Sequence, residues 1–326
     1  MPFHPDSLPD LSDKVYIVTG GNSGIGFYTV ARLAQHRAHV YLCARSESKA
    51  MAAVEEIRSL YPQARVSLLQ IDHMSLASVA SAAEEFLRKE TALHGLVNNA
   101  GIMATPFEMT KDGYEAQWQT NYLAHWVLTA RLLPLLLQTS RDLPPGSVRV
   151  VNLSSSGHYS APKGGINFSD TALRHDSVMA RYGQSKLANI LHAKTLHKHY
   201  GPGSPSSRSG QGEIWTAIVH PGLVESNLAV GAELPSWLKV LVPVYKRIGG
   251  LMDADRGSWT SVFCVTSPTM RKEHSGAYFQ RVADPAGWQS CLAKDVGLAA
   301  KLEDWTKEEM ERGGWWTGPG PLHGQD

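Results

Sequence analysis

Two places in the sequence put a phenol four residues before an ammonium: Tyr182 and Lys186 in "RYGQSKLANIL", and Tyr159 and Lys163 in "YSAPK". A tyrosine beside a lysine can pass a proton to or from a carbonyl oxygen if the two side chains face the same point. A spacing of four achieves that on a helix and not in a loop. After Tyr182, the residues Leu187, Ile190, Leu191 and Leu196 recur at helical intervals, so this pair heads a helix over 181–200. The other pair encloses Pro162, runs into Gly164 and Gly165, and has no apolar period. It reads as a loop without paired chemistry.

Other elements must carry the Tyr182 pair to a substrate. The β-branched runs 14–20, 39–44, 65–72, 94–101, 147–155 and 213–222 read as strands. Between them, 24–36, 49–61, 75–90, 115–138 and 181–200 show helical periodicity. Pro134 falls inside the fourth of these and should kink it rather than end it. Such alternation predicts the α/β class: a doubly wound parallel sheet of the Rossmann type, in a single domain over residues 1–320. The Gly/Ser/Pro run 201–213 reads as a flexible surface loop, and residues 321–326 as a disordered tail.

The first predicted strand opens into a helix through "TGGNSGIG", residues 19–26. Glycines let backbone approach a pyrophosphate, whose charge then rests at a helix N-terminus. Gly20, Asn22, Ser23, Ile25 and Gly26 are therefore read as a dinucleotide cradle. At the end of the second strand, NAD-binding folds of this type carry a carboxylate for the ribose 2′-hydroxyl. Here Cys43 and Ala44 are followed by Arg45, a guanidinium able to pair with a 2′-phosphate. The expected cofactor is NADP. Asp72, ending the third strand, is placed to accept from the adenine amino group. In "NNAG" (98–101), Asn99 and Gly101 are placed against the adenosine ribose. For one of Asn98 and Asn99, a turn after a buried strand is the plainer reading.

Together, "TGGNSGIG", "NNAG", "QWQTNYLAH", "VVNLSSS", "YGQSK" and "HPGLVES" resemble the short-chain dehydrogenase/reductases, over residues 14 to about 228. The long gap between Ser155 and Tyr182, "SKLANIL" and the later "SGAYF" resemble the retinol-dehydrogenase-like branch. The resemblance implies that Tyr182 is general acid in reduction and base in oxidation. It makes Lys186 the group that lowers the phenol's pKa and holds the nicotinamide ribose. Ser155, rather than Ser154, hydrogen-bonds the substrate oxygen, and Asn121 links Lys186 to a chain of water. A free phenol has a pKa of about 10, so bringing it to about 7 takes roughly 4 kcal/mol of preference for the anion. One neighbouring cation moves such a group by about 1–3 pH units. Lys186 together with an oxidised nicotinamide would suffice. Backbone at Val224, after Pro221 and Gly222, meets the carboxamide, and Ser226 stands where the family usually has threonine. In "IDHMS", His73 takes the place of an apolar residue. The resemblance also implies a homodimer or tetramer through the helices at 115–138 and 181–200.

Composition narrows the remainder. Lys and Arg number 31 against 30 Asp and Glu, so no field favours nucleic acid or anionic lipid. Cys43, Cys264 and Cys291 are scattered, which argues against a disulfide framework and a metal site. There is no secretory signal, and no apolar run nears the roughly 18 residues of a membrane span, so the expected location is cytoplasmic. The apolar segment 228–257 is read as a lid over a lipophilic substrate, with core packing or weak membrane contact as alternatives. Trp305, Trp315 and Trp316 either line the pocket or pack. The function expected is an NADP-dependent oxidoreductase interconverting a ketone or aldehyde with an alcohol on a lipophilic small molecule of retinoid, steroid or polyketide kind. The alternative is an NADP-binding regulator without chemistry. A nucleotide-sugar epimerase is disfavoured by the glycine spacing of residues 19–26.

Overall fold

The computed structural model describes residues 3–224 and 251–318. Seven strands are β1 (Val15–Thr19), β2 (His39–Ala44), β3 (Arg65–Gln70), β4 (Gly95–Asn98), β5 (Arg149–Leu153), β6 (Trp215–His220) and β7 (Ala277–Gln280). They form one sheet in the order β3-β2-β1-β4-β5-β6-β7, every pair parallel. The order reverses between β1 and β4, and ligands of such sheets bind where it reverses, beyond the strands' carboxyl ends.

Side chains alternate across each strand, so the sheet feeds two cores. Ile17, Tyr41, Leu96 and Val150 point to one face; their neighbours Val18, Leu42, Val97 and Val151 point to the other. Each is buried, and burying a side chain of this kind contributes about 1.5–3 kcal/mol. The first face carries α3 (Leu76–Lys89), α5 (Ala124–Arg141), α6 (Val178–Tyr200) and α9 (Val296–Arg312). The second carries α1 (Gly24–Gln35), α2 (Glu47–Leu60) and α8 (Ala254–Thr266). Ser46, Ser75, Ser177, Asp253 and Asp295 cap α2, α3, α6, α8 and α9 by accepting first-turn amides.

The fold differs from the sequence expectations along three stretches. The helix expected over 115–138 is divided: α4 (Ala116–Trp118), then a π turn over Gln119–Leu123, then α5, which continues through Pro134 to Arg141. Residues 201–213 are not a featureless loop. They hold a single turn, α7 (Pro205–Arg208), in which the buried Ser206 donates to the Gly212 carbonyl at 2.8 Å. The strand β7 and helices α8 and α9 were not anticipated at all. Trp305, Trp315 and Trp316 pack against the first core and do not reach the cavity described below. Among the described residues, no helix is long and apolar enough to cross a membrane. Most of the segment 228–257, Ser226 and the tail 321–326 lie outside the described residues.

Candidate active site

A cavity of about 1090 Å³ opens at the carboxyl ends of β1, β2, β4, β5 and β6. At its base is the turn between β1 and α1. Gly20 adopts φ +64° and Gly24 φ +54°, the left-handed region that glycine enters without strain. A Cβ on Gly26 would fall 2.2 Å from the Gly20 carbonyl oxygen and 2.6 Å from Asn99 Nδ2, so the cradle closes only around glycine. Ser23 precedes α1 but its side chain caps nothing, leaving first-turn amides of the helix for a ligand. Asn22, Ser23 and Ile25 all line the cavity. These features fit a bound dinucleotide.

The cavity then runs to the end of β2, where Arg45 is exposed and has no ion-pair partner among the described residues. Ser46 and Lys49 line the same end. Sequence reasoning missed both, although "RSESK" sets a hydroxyl and a second cation within four residues of Arg45. Glu47, the acid nearest in sequence, does not line the cavity. Asp72 lies on the wall and accepts the Met74 amide at 3.0 Å. Asn99 lines the cavity, and its Nδ2 donates to the Thr19 carbonyl at 2.8 Å, clamping β1 to the end of β4 beneath the glycine turn. Gly101 lines the cavity as well. A Cβ there would meet Asn121 Oδ1 at 3.0 Å and Lys186 Nζ at 3.4 Å, which places it beside the proton-transfer groups.

Those groups converge from three elements. Tyr182 and Lys186 face one point from α6, with Lys186 Nζ 5.7 Å from the centre of the Tyr182 ring. Tyr182 is 2% exposed and lines the cavity, whereas Tyr159 is 55% exposed on a 3-10 turn. The two serines after β5 divide their work. Ser154 Oγ is buried and donates to the Lys186 carbonyl at 2.8 Å, fixing α6; Ser155 Oγ accepts the Gly157 amide at 3.0 Å and lines the cavity with Tyr182. The close approach depends on Gly157, where a Cβ would lie 2.5 Å from Tyr182 Cε1. Asn121 is fully buried in the π turn. Its amide donates to the Ile102 carbonyl (3.0 Å) and Ser185 Oγ (2.9 Å), and its Oδ1 accepts from the Ile102 amide (2.8 Å). It makes no direct bond to Lys186. Val224 lines the cavity and forms a bridge with Met252.

Burial sets the electrostatics here. It pushes the Tyr182 hydroxyl up to about 12, opposed by the nearby Ser155 hydroxyl. It brings Lys186 down to about 8, and Lys186 Nζ donates to the Leu153 carbonyl at 3.2 Å. Desolvation disfavours both charges, and the phenol is held ready as a proton donor.

This arrangement of glycine turn, buried phenol and lysine agrees with what the chain is similar to. A family model described as short chain dehydrogenase matches residues 14–233. The Aspergillus calidoustus protein named Short-chain dehydrogenase/reductase drtF is 50% identical over 317 residues, 95% of this chain and 98% of its own length. Mouse Retinol dehydrogenase 11 is 35% identical over 295 residues, covering 90% of this chain and 85% of its own. A crystal structure of an uncharacterised protein from Mycobacterium paratuberculosis superposes with a TM-score of 0.71 at 27% identity, over 95% of this chain and 98% of that one. The chain belongs to the short-chain dehydrogenase/reductase family, oxidoreductases that use NAD(P). Its likeness to a retinol dehydrogenase bears out the branch read from the sequence.

Proposed function

We propose that the chain is an NADP-dependent oxidoreductase that interconverts a ketone or aldehyde with an alcohol on a lipophilic small molecule. The observation that carries this reading is the shared cavity: one continuous space is lined by the glycine cradle, by Arg45 and Lys49, and by Ser155, Tyr182 and Lys186. NADP over NAD is supported by two cations and the Ser46 hydroxyl at the end of β2, with no carboxylate there. A lipophilic substrate is supported by Met103, Met179, Leu223 and Leu251 on the same wall.

When bound, the nicotinamide supplies or accepts the hydride. The chain's own groups manage the oxygen. In reduction, Ser155 holds the carbonyl oxygen and the Tyr182 hydroxyl donates the proton to it. In oxidation the same phenol withdraws the alcohol proton, and its anion is favoured by the Lys186 ammonium. Asn121 holds the Ile102 segment and Ser185 in place, and its reach to Lys186 goes through water. Retinoid-, steroid- and polyketide-like carbonyls are the substrate kinds we propose.

Titrating the purified chain with NADPH and NADH, then following NADPH oxidation across a panel of lipophilic ketones and aldehydes, tests the reading. Tighter NADPH binding with turnover of at least one panel member is expected. NADPH binding with no turnover on any carbonyl or alcohol would replace it with a regulatory, non-catalytic role. Preference for NADH would overturn the cofactor assignment.

A further inference from the structure

We infer that His125 is a positioning residue, a neutral brace that ties the Asn121 carbonyl to the end of β1 and thereby sets the proton-transfer groups against the glycine cradle. His125 stands one turn after Asn121 at the start of α5 and is 2% exposed. Its Nδ1 lies 3.0 Å from the Asn121 carbonyl oxygen, an atom that only accepts, so Nδ1 carries the proton. In the neutral ring Nε2 is then an acceptor, and Thr19 Oγ1, 2.8 Å away, donates to it rather than to the more distant Val97 carbonyl at 3.4 Å. With its proton committed, Thr19 Oγ1 accepts the amides of Asn99 at 2.8 Å and Ala100 at 2.9 Å. The polarity of the chain is thus fixed from end to end: β4 amides to Thr19, Thr19 to His125, His125 to Asn121.

Each end matters to a different half of the site. Thr19 and Asn99 support the turn around Gly20 and Gly26. Asn121 sits in the π turn, where the helix is out of its usual register. His73, the residue that stands in place of an apolar side chain after Asp72, completes the device. Its buried ring meets His125 edge-on, with centres 4.8 Å apart at 61°. Its carbonyl accepts from Gln119, the first residue of the π turn, at 3.2 Å. Its Nε2 has no partner among the described residues, so it covers His125 without competing for either of that ring's bonds. Burial, followed by His73 and with Lys186 and His192 also near, keeps His125 well below the usual histidine range.

The inference rests on the proposed function for its turnover arm alone. His125→Phe keeps the ring and removes both bonds; a packing role would survive it. Loss of at least tenfold in kcat for a carbonyl of the panel is expected, together with about tenfold weaker NADPH binding by fluorescence titration, which needs no carbonyl. His125→Asn can donate from its δ position to Asn121 but cannot reach Thr19, so kcat should return to within about threefold of the parent while binding stays weak. His125→Gln should show the opposite. In 15N-histidine NMR of the parent, His125 should be the Nδ1–H tautomer and remain neutral at pH 6. A Phe variant with parental kcat and binding, Asn and Gln variants that behave alike, or an Nε2–H ring would overturn the inference. Should the Phe variant not fold, the Asn and Gln pair and the tautomer decide. A parent chain that binds NADPH but turns over no carbonyl counts against the proposed function, while the binding and tautomer results still decide this one.

Discussion

Lys186 is a cation in a buried site, with its nitrogen on the Leu153 carbonyl and no carboxylate partner among its contacts. Its pKa falls from 10.5 to about 8 through burial, so the unfolded chain binds the extra proton between those values. Stability must therefore rise as pH climbs from about 8 to 10.5, and the full cost applies below 8. Lys186→Met should raise unfolding free energy by roughly 1–3 kcal/mol at pH 7, with the gain gone by pH 10.5; urea titrations at the two pH values check this. Asn189 already donates to the Leu153 carbonyl at 2.9 Å, so the substitution strands no acceptor. At the other end of the cavity, Arg45→Asp should weaken NADPH binding about a hundredfold and NADH binding less than threefold. Equal losses would remove Arg45 from the 2′-phosphate. That Tyr182 and Lys186 face one point was legible from their spacing on a helix, whereas Asn121 and Ser155 were legible only through the family resemblance. Gly157, Lys49, His125 and the clamp role of Asn99 were not. Their roles arise from what folding sets beside them, and no spacing along the chain encodes that.

At the scale of elements, the approach of α6 to the 3-10 turn Ser156–Ser160 decides the site's geometry. Gly157→Ala would drive a methyl to within 2.5 Å of the Tyr182 ring, and overpacking of that kind costs about 1–3 kcal/mol. Activity should fall at least tenfold as the phenol shifts, while NADPH binding holds within threefold. Gly164→Ala, with open space around its Cβ but φ +86°, is the control: it should lose about 1 kcal/mol and keep its activity. Parental kcat in Gly157→Ala would mean that Tyr182 does not need this approach. The first six strands and the helices between them were legible, within a few residues, from alternation and helical period. Three elements were not, for separate reasons. β7 buries only Tyr278 and Phe279, too short an apolar run to signal a strand, whereas all of β4 is buried. α8 buries small polar residues, Ser258, Thr260 and Ser261, where an apolar face would signal a helix. α9 is dominated by charge along "KLEDWTKEEMER", which hides its buried Leu302 and Met310.

At the scale of the molecule, α9 lies over α5 and α6, the pair through which the family resemblance implied a homodimer or tetramer. Tyr122 meets Thr306 at 2.6 Å, and Trp126 Nε1 donates to Glu303 at 3.0 Å. His192 Nδ1 stands 3.9 Å from the same carboxylate and Lys307 Nζ 3.3 Å. Burial alone would raise Glu303, yet His192, Trp126 and Lys307 hold it down to about 2. A carboxyl lowered by folding adds stability above its unfolded value near 4.5, and that stability is lost as pH falls toward 2. Glu303→Gln should therefore cost roughly 1–3 kcal/mol at pH 7 and progressively less between pH 4.5 and 2, as followed by urea unfolding. A cost that does not change with pH would mean that α9 is held by shape alone.

The account depends most on the Tyr182 hydroxyl as the proton donor in the reaction proposed here. Its direct test is a single turnover of a carbonyl by the NADPH-loaded chain, comparing the parent with Tyr182→Phe. A general acid of this kind contributes about 10²–10⁴-fold. The rate should drop by that much in the Phe variant, with the NADPH dissociation constant unchanged within threefold. A Phe variant that reduces the carbonyl at the parental rate would contradict the account.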